Sequence, residues 1–336
     1  MMDTDEKDLF RTSLEQVTAA AGSDAWPDAV AEFGWHELLD EDAETAVSIL
    51  SDLQGRLLPR ASFVDDVALA ATGRSEWQRE PNAPVTRIVF PPLGSARVGS
   101  VVEGSATPGS DRCTVAVSGI VSLDPRATTS LLVPARLGED LIVVQTPLDE
   151  QNLALEPAGI EPESGWTRVT GSVEGTVLST GGEAADLWGD IRAAANRALS
   201  YELNAIGREM LTATVDHVTS RKQFGRELGS FQAVKHALAD TRVWQECAEL
   251  AADATWESSA VEAPILAKSL SGRFFRSAAE NCQQLLGGMG FTWEHSFHRY
   301  LRRGLILEQL LGTSAGLRVE LGAGVKSGDM PVLASL

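Results

Sequence analysis

Three cysteines in 336 residues, Cys113, Cys247 and Cys282, are too few and too far apart for a disulfide framework or a thiolate metal site. They are expected as reduced thiols buried as small hydrophobes. Histidine is also scarce: of His36, His217, His236, His295 and His298, only His295 and His298 are spaced i, i+3. With no third donor beside them, no metal site is expected. No apolar run approaches the ~20 residues of a membrane span. The opening Met1-Met2-Asp3-Thr4-Asp5-Glu6 is acidic, unlike a signal or transit segment, so a cytoplasmic, soluble protein is expected. Positive charge is in deficit too. With 28 Lys and Arg against 47 Asp and Glu, the formal net charge of −19 repels nucleic-acid phosphates and anionic lipid, and neither is expected as a partner.

What is present is ordinary globular material, with 43% apolar residues and a mean hydropathy of −0.05. Its texture changes twice along the chain. Residues 1–73 read as a short helical domain, with Leu9, Phe10, Leu14 and Val17 at helical spacing. Phe33-Gly34-Trp35 and Gly55-Arg56-Leu57-Leu58-Pro59 break it. Residues 74–180 are rich in Pro, Gly, Ser and Thr between β-prone runs such as Val85–Phe90, Cys113–Val117 and Leu141–Val144, and read as a small β-barrel or sheet of short strands. From 181 to 336 the helical period returns in four amphipathic segments, the last running Tyr300–Leu321. They predict an antiparallel four-helix bundle and an α+β chain overall.

Two phrases punctuate that bundle. Arg221-Lys222-Gln223-Phe224-Gly225 follows one helical segment, and Gln284-Leu285-Leu286-Gly287-Gly288-Met289-Gly290-Phe291 closes another about sixty residues later. Together, with Glu202, Ala205, His217, Phe231-Gln232 and Ala239-Asp240 around the first and Tyr300-Leu301-Arg302 then Gly312-Thr313 after the second, they resemble the flavin-binding signature of the acyl-CoA dehydrogenase family. Gly34-Trp35 and Gly55–Pro59 resemble the family's bacterial members. Either phrase alone is a weak signal, and both in one chain at this separation are a strong one.

The resemblance implies a fold of N-terminal helices, middle β domain and C-terminal four-helix bundle, the first two shortened here. It implies FAD as cofactor. Arg221, Gln223 and Phe224 would hold the pyrophosphate and ribityl-adenosine region of an FAD shared with a neighbouring subunit. Gln284, Gly287 and Gly288 would take the adenosine end. A guanidinium fork suits a pyrophosphate, and glycines allow close backbone approach. On the residues alone, Arg221 is equally a helix cap and Gly287-Gly288 a plain turn.

The chemistry is what the chain lacks. Desaturation of an acyl-CoA needs a carboxylate to remove the α-proton while hydride leaves for the flavin. The family carries that glutamate just before the Gly-Thr matched by Gly312-Thr313, where this chain has Leu311. A minority carry it about 29 residues before Phe224, which lands on Ala195. The nearest acids are Glu308 and Glu202. The family strands that cover the flavin ring are also missing from 74–150: Gly109-Ser110-Asp111 is an isolated echo, and Val117–Leu123 lacks the expected tryptophan.

The resulting expectation is a non-catalytic subunit, with no catalytic residue of its own, in a heteromeric α2β2 acyl-CoA dehydrogenase of actinobacterial type. It would complete the FAD site of a full-length catalytic partner that binds most of the acyl-CoA, a bulky or steroid-type thioester by analogy. Three alternatives stand beside it: a self-sufficient homomeric enzyme with Glu308 as base, a related flavin oxidase or hydroxylase, and a scaffold of the same fold that binds no flavin.

Overall fold

A computed structural model describes residues 3–22, 25–74, 77, 85–103, 112–123, 128–160 and 164–328. Gly109-Ser110-Asp111 lies outside them. By contacts the chain divides into two compact units, one of residues 1–49, 59–195 and 309–312, the other of residues 50–58, 196–308 and 313–336.

The first unit begins with five helices, α1 (Thr4–Ala21), α2 (Trp26–Glu32), α3 (Trp35–Glu41), α4 (Ala43–Leu57, whose last turns belong to the second unit) and α5 (Val64–Ala70). Asp3 and Glu6 close a reciprocal capping box on α1. Pro27 sits in the first turn of α2, where its missing N–H costs nothing. The Trp35 indole, fully buried, donates to the Ala46 carbonyl at 2.9 Å and ties α3 to α4.

Seven strands follow: β1 (Val85–Ile88), β2 (Ser100–Glu103), β3 (Arg112–Ser122), β4 (Thr128–Leu137), β5 (Asp140–Pro147), β6 (Leu153–Pro157) and β7 (Trp166–Thr180). They pair in the order β1-β4-β2-β3-β7-β5, with β6 on β7. A further β4–β5 pairing, from Ser130↔Pro147 to Leu137↔Asp140, closes the ring β4-β2-β3-β7-β5 on itself. Closure removes the open edges that a small sheet would expose. Val102, Val115, Val117, Leu131, Val133, Val144 and Val173 fill its core. The expected short strands are corrected here: β3 has 11 residues and β7 has 15, paired antiparallel from Arg112↔Thr176 to Ser122↔Trp166. Gly119, Gly171 and Gly175 lie inside these long strands, where a Cβ would strike neighbouring backbone or side-chain atoms.

The second unit is helical. α6 (Gly181–Ser220) starts in the first unit and continues here. A two-residue-stranded hairpin, β8 (Lys222–Gln223) and β9 (Arg226–Glu227), leads to α7 (Gln232–Glu257), then α8 (Ala263–Leu286), α9 (Phe297–Gln309) and α10 (Ser314–Ser327). Antiparallel α7 and α8 are zipped by polar contacts, Thr241 to Ser277 at 3.2 Å and Asn281 Nδ2 to Thr241 Oγ1 at 2.9 Å. Small residues let the helices close up. A Cβ on Gly207 would stand 2.6 Å from the Phe274 ring, and one on Gly304 2.1 Å from Phe275.

The sequence predicts one last helix over Tyr300–Leu321. The chain instead breaks it between α9 and α10, with Leu311 at φ 57 and Gly312 at φ 104, and Thr313 Oγ1 caps α10 by accepting from Gly316 N at 3.1 Å. The cysteine expectation also needs correction. All three thiols are free, but only Cys282 is buried; Cys113 is half-buried, and Cys247 is exposed on α7.

Candidate functional site

The first phrase forms the hairpin at the end of α6. Arg221 N–H donates to the His217 carbonyl at 2.9 Å, ending the helix, and Leu228 N–H returns to the Arg221 carbonyl at 2.9 Å. Lys222 pairs with Glu227 and Gln223 with Arg226, so Phe224-Gly225 is a two-residue loop with φ of 53 and 79. Positive φ at both positions is the type I′ arrangement, which suits Gly225 and strains Phe224. The Phe224 ring stands out in solvent, 89% exposed, edge-on to Phe231 at 6.1 Å between ring centres. Arg226 lies over the Phe231 ring at 3.9 Å. Arg221 is exposed, and its guanidinium makes no hydrogen bond or ion pair among the described residues. The Gln223 amide donates to the Lys222 carbonyl at 2.9 Å, leaving its Oε1 to accept.

The second phrase ends α8. Gln284, Gly287 and Gly288 are exposed. Gly287 takes φ 58, ψ −135, which a side chain would not tolerate, and opens a 3-10 turn over Gly287–Phe291. The Cβ directions of Gly287 and Gly288 meet nothing within 4 Å, so a ligand can come down onto that backbone.

The two phrases are in electrostatic reach of one another. His217, half-buried at the base of the hairpin, has its pKa lowered first by burial, then by the Arg221 charge, then by His295, which lies just past the second turn. Exposed Trp293 adds an aromatic face there, with the His298 ring at 4.6 Å and the Arg302 guanidinium at 4.9 Å. His298 Nδ1 is 2.7 Å from the His295 carbonyl, so that pair is spent on local structure, and among the described residues no cluster suits a metal ion. Sequence reasoning weighed His298 as a metal ligand and took Arg302 as part of a family phrase, but missed Trp293.

This surface suits the dinucleotide half of FAD: an arginine with no protein acceptor, an exposed phenylalanine, and an open glycine cradle. FAD bound here would supply the acceptor for hydride, and the chain's part would be to neutralise phosphate charge and to offer flat contacts.

The expected positions of a base hold none. Leu311 is fully buried, and so is Ala195. Val117 and Val121 of β3 are buried in the barrel core. Glu308 is fully enclosed and held on every side: Arg276 donates Nε to Oε1 at 3.0 Å and Nη2 to Oε2 at 3.1 Å, and Ser314 donates both N–H and Oγ–H to Oε1 at 2.9 Å. Buried Lys268 donates to the Glu308 main-chain carbonyl at 3.0 Å. Burial pushes the Glu308 pKa up, but the Arg276 and Ser314 hydrogen bonds with the Lys268 and Arg276 charges outweigh it and leave it lowered. A carboxylate so held is a poor proton acceptor. Glu202 is likewise committed, accepting from Arg303 Nε at 2.9 Å and Nη2 at 2.7 Å in a fully buried pair.

Residues 184–325 match the acyl-CoA dehydrogenase C-terminal domain family. That stretch is an acyl-CoA dehydrogenase C-terminal domain. The chain's whole length has the acyl-CoA dehydrogenase fold. It superposes on the Tcur3481-Tcur3483 steroid acyl-CoA dehydrogenase (G363A variant) with a TM-score of 0.77 at 21% identity, covering 96% of this chain and 97% of that one. With the ChsE4-ChsE5 complex of Mycobacterium tuberculosis the TM-score is 0.73 at 17% identity, covering 98% and 99%. In sequence, the acyl-CoA dehydrogenase FadE34 of M. tuberculosis is 32% identical over 240 residues, 62% of this chain and 33% of that protein. The acyl-CoA dehydrogenase IpdE2 of M. tuberculosis is 39% identical over 114 residues, 34% of this chain and 36% of that protein. The chain thus matches about a third of the length of these relatives. No helix among the described residues is long and apolar enough to cross a membrane.

Proposed function

We propose that this chain is the non-catalytic subunit of a heteromeric, FAD-dependent acyl-CoA dehydrogenase. In this reading it completes the FAD site of a full-length partner with Arg221, Gln223, Phe224, Gln284, Gly287 and Gly288. The observation that carries the proposal is the pairing of an open, cationic dinucleotide surface with base positions, Leu311 and Ala195, that hold no carboxylate. Buried Leu311 stands before Gly312-Thr313, and Glu308 spends both carboxylate oxygens on Arg276 and Ser314. The partner's carboxylate would remove the α-proton. This chain's guanidinium would neutralise the pyrophosphate, and its exposed rings would shield the cofactor from water.

Two further observations favour a heteromer. The structural neighbours include complexes of two different chains by their own descriptions. The alignment with FadE34 uses only a third of that relative, which leaves it room for a second unit of this chain's size. The steroid description of one neighbour points to a bulky acyl-CoA thioester as the substrate class of the assembly. A self-sufficient enzyme using Glu308 is disfavoured by that residue's enclosure.

The test is co-expression with a full-length homologue, followed by the flavin-to-protein ratio from absorbance. One FAD per heterodimer is expected, with this chain colourless alone, and Arg221→Ala is expected to lower flavin content in the complex without disturbing assembly. Stoichiometric FAD on this chain alone, or unchanged flavin in the Arg221→Ala complex, would sink the assignment.

A further inference from the structure

Several guanidinia of the helical unit have carboxylates. Arg208 takes Asp52 and Glu249, Arg276 takes Glu308, Arg303 takes Glu202, and Arg242 takes Glu246. Arg197 on α6 has none. It makes no hydrogen bond or ion pair among the described residues, in a chain with 47 acidic residues to choose from.

Its surroundings are built nonetheless. The guanidinium lies over the Trp256 ring, 4.6 Å from the ring centre. The Trp256 indole N–H donates to the Tyr201 hydroxyl at 3.2 Å, and that hydroxyl donates to Asp253 at 2.8 Å. Two helices thereby fix the ring, and the ring fixes the plane of the arginine. Arg197 is half-buried, and its Nε is sealed from water with no acceptor. Burial lowers its pKa, opposed by the Tyr201 phenol one turn on. A desolvated donor without a partner is costly, and more so on a charged group. A fold that carries such a donor on a fixed aromatic platform has oriented it for something that is not part of the chain.

We propose that Arg197, on its Trp256 platform, anchors a second ligand site, separate from the Arg221 surface, that takes an oxyanion: a phosphate or a carboxylate. The planar fork matches either group with two parallel hydrogen bonds, and the indole provides a flat apolar wall. The site is independent of the flavin reading, since it uses none of its residues.

The experiment is thermal unfolding of the full chain, as purified with its co-expressed partner, in sodium phosphate, sodium acetate and sodium chloride at equal ionic strength. Wild type, Arg197→Ala, Arg197→Lys and Arg273→Ala are compared. Arg273 serves as control because it lies over Trp244 at 5.0 Å but its Nε is not both sealed and unpartnered. Phosphate stabilises most proteins by exclusion from their surface, so the reading is the difference between variants. The expected result is that phosphate raises the wild-type Tm by about 4 °C more than it raises that of Arg197→Ala, as for a site held well above its Kd. Arg273→Ala should keep the response and Arg197→Lys only part of it. In chloride, Arg197→Ala should match or exceed wild type, because it removes an unpaired charge. An acetate response equal to the phosphate one assigns a carboxylate ligand, and a response to phosphate alone assigns a phosphate. Equal phosphate responses in wild type and Arg197→Ala overturn the proposal, as does an equal loss in Arg197→Ala and Arg273→Ala.

Discussion

Arg276 and Glu308 face each other fork to fork, Nε to Oε1 at 3.0 Å and Nη2 to Oε2 at 3.1 Å, and Ser314 at the start of α10 completes the clamp. The acid therefore joins α8 to the first turn of α10. Arg276→Ala should destabilise the helical unit by about 2–3 kcal/mol, below the ~3–5 kcal/mol of a fully enclosed pair, because Arg276 is 44% exposed and water screens it. The pH dependence has a definite sign. A carboxylate with a lowered folded pKa adds stability above its unfolded value of 4.5, and loses it as pH falls through the folded value. Denaturant midpoints from pH 6 down to pH 3 should show that loss in wild type and a smaller one in Glu308→Gln.

The Glu202–Arg303 pair behaves differently, since both side chains are almost wholly buried. Arg303→Ala should cost about 3–5 kcal/mol by stranding a carboxylate. Replacing both residues with leucine should be near neutral or stabilising by comparison. Urea unfolding of the two single variants and the double variant gives the coupling directly. A double variant as unstable as the worse single one would show that the pair contributes net stability.

Asp65 reverses the usual carboxylate behaviour. Burial raises its pKa from 3.8 to about 7, against the pull of Arg87 and of the Ile88 N–H, which donates to it at 2.6 Å. The folded state therefore holds a proton that the unfolded chain releases. Stability should fall as pH rises from about 4 to 7, by at most about 1.4 kcal/mol per pH unit. Asp65→Asn, which keeps an oxygen for Ile88, should flatten that slope. An unchanged slope in melting curves across this range would assign the protonation elsewhere.

Leu311 is buried in a left-handed turn. Leu311→Glu puts a carboxylate where no water reaches and should cost several kcal/mol, of order 2–7 for an uncompensated polar group. It should not give the isolated chain dehydrogenase activity. Turnover of an acyl-CoA by Leu311→Glu alone would mean that the chain already holds the other parts of a complete site.

Much of the architecture was legible because it is local. The runs Val85–Phe90, Cys113–Val117 and Leu141–Val144 fall on β1, β3 and β5, and both glycine phrases fall where helices end. The break at Leu311 was not legible, because nothing in a leucine's propensity predicts positive φ. Nor was the duty of Glu308, whose partner Arg276 lies 32 positions away. From the sequence alone, an acid three residues from a missing base reads as a solvated or interface carboxylate, with a substitute base as the alternative, and the clamp shows it to be a tie between helices. Trp293 was passed over because an exposed tryptophan has no periodic signature.

Strand β7 meets β3 along eleven pairs and also carries β5 and β6, yet β3 ends at Ser122 and β7 begins only at Trp166. A loop of that span must close before the β3–β7 hydrogen bonds can form. The helices of the bundle meet their neighbours across short turns and have no such delay. The barrel is thus the slow-folding part of the molecule. Its last-formed strand should be the one whose amides gain protection late in pulse-labelled refolding.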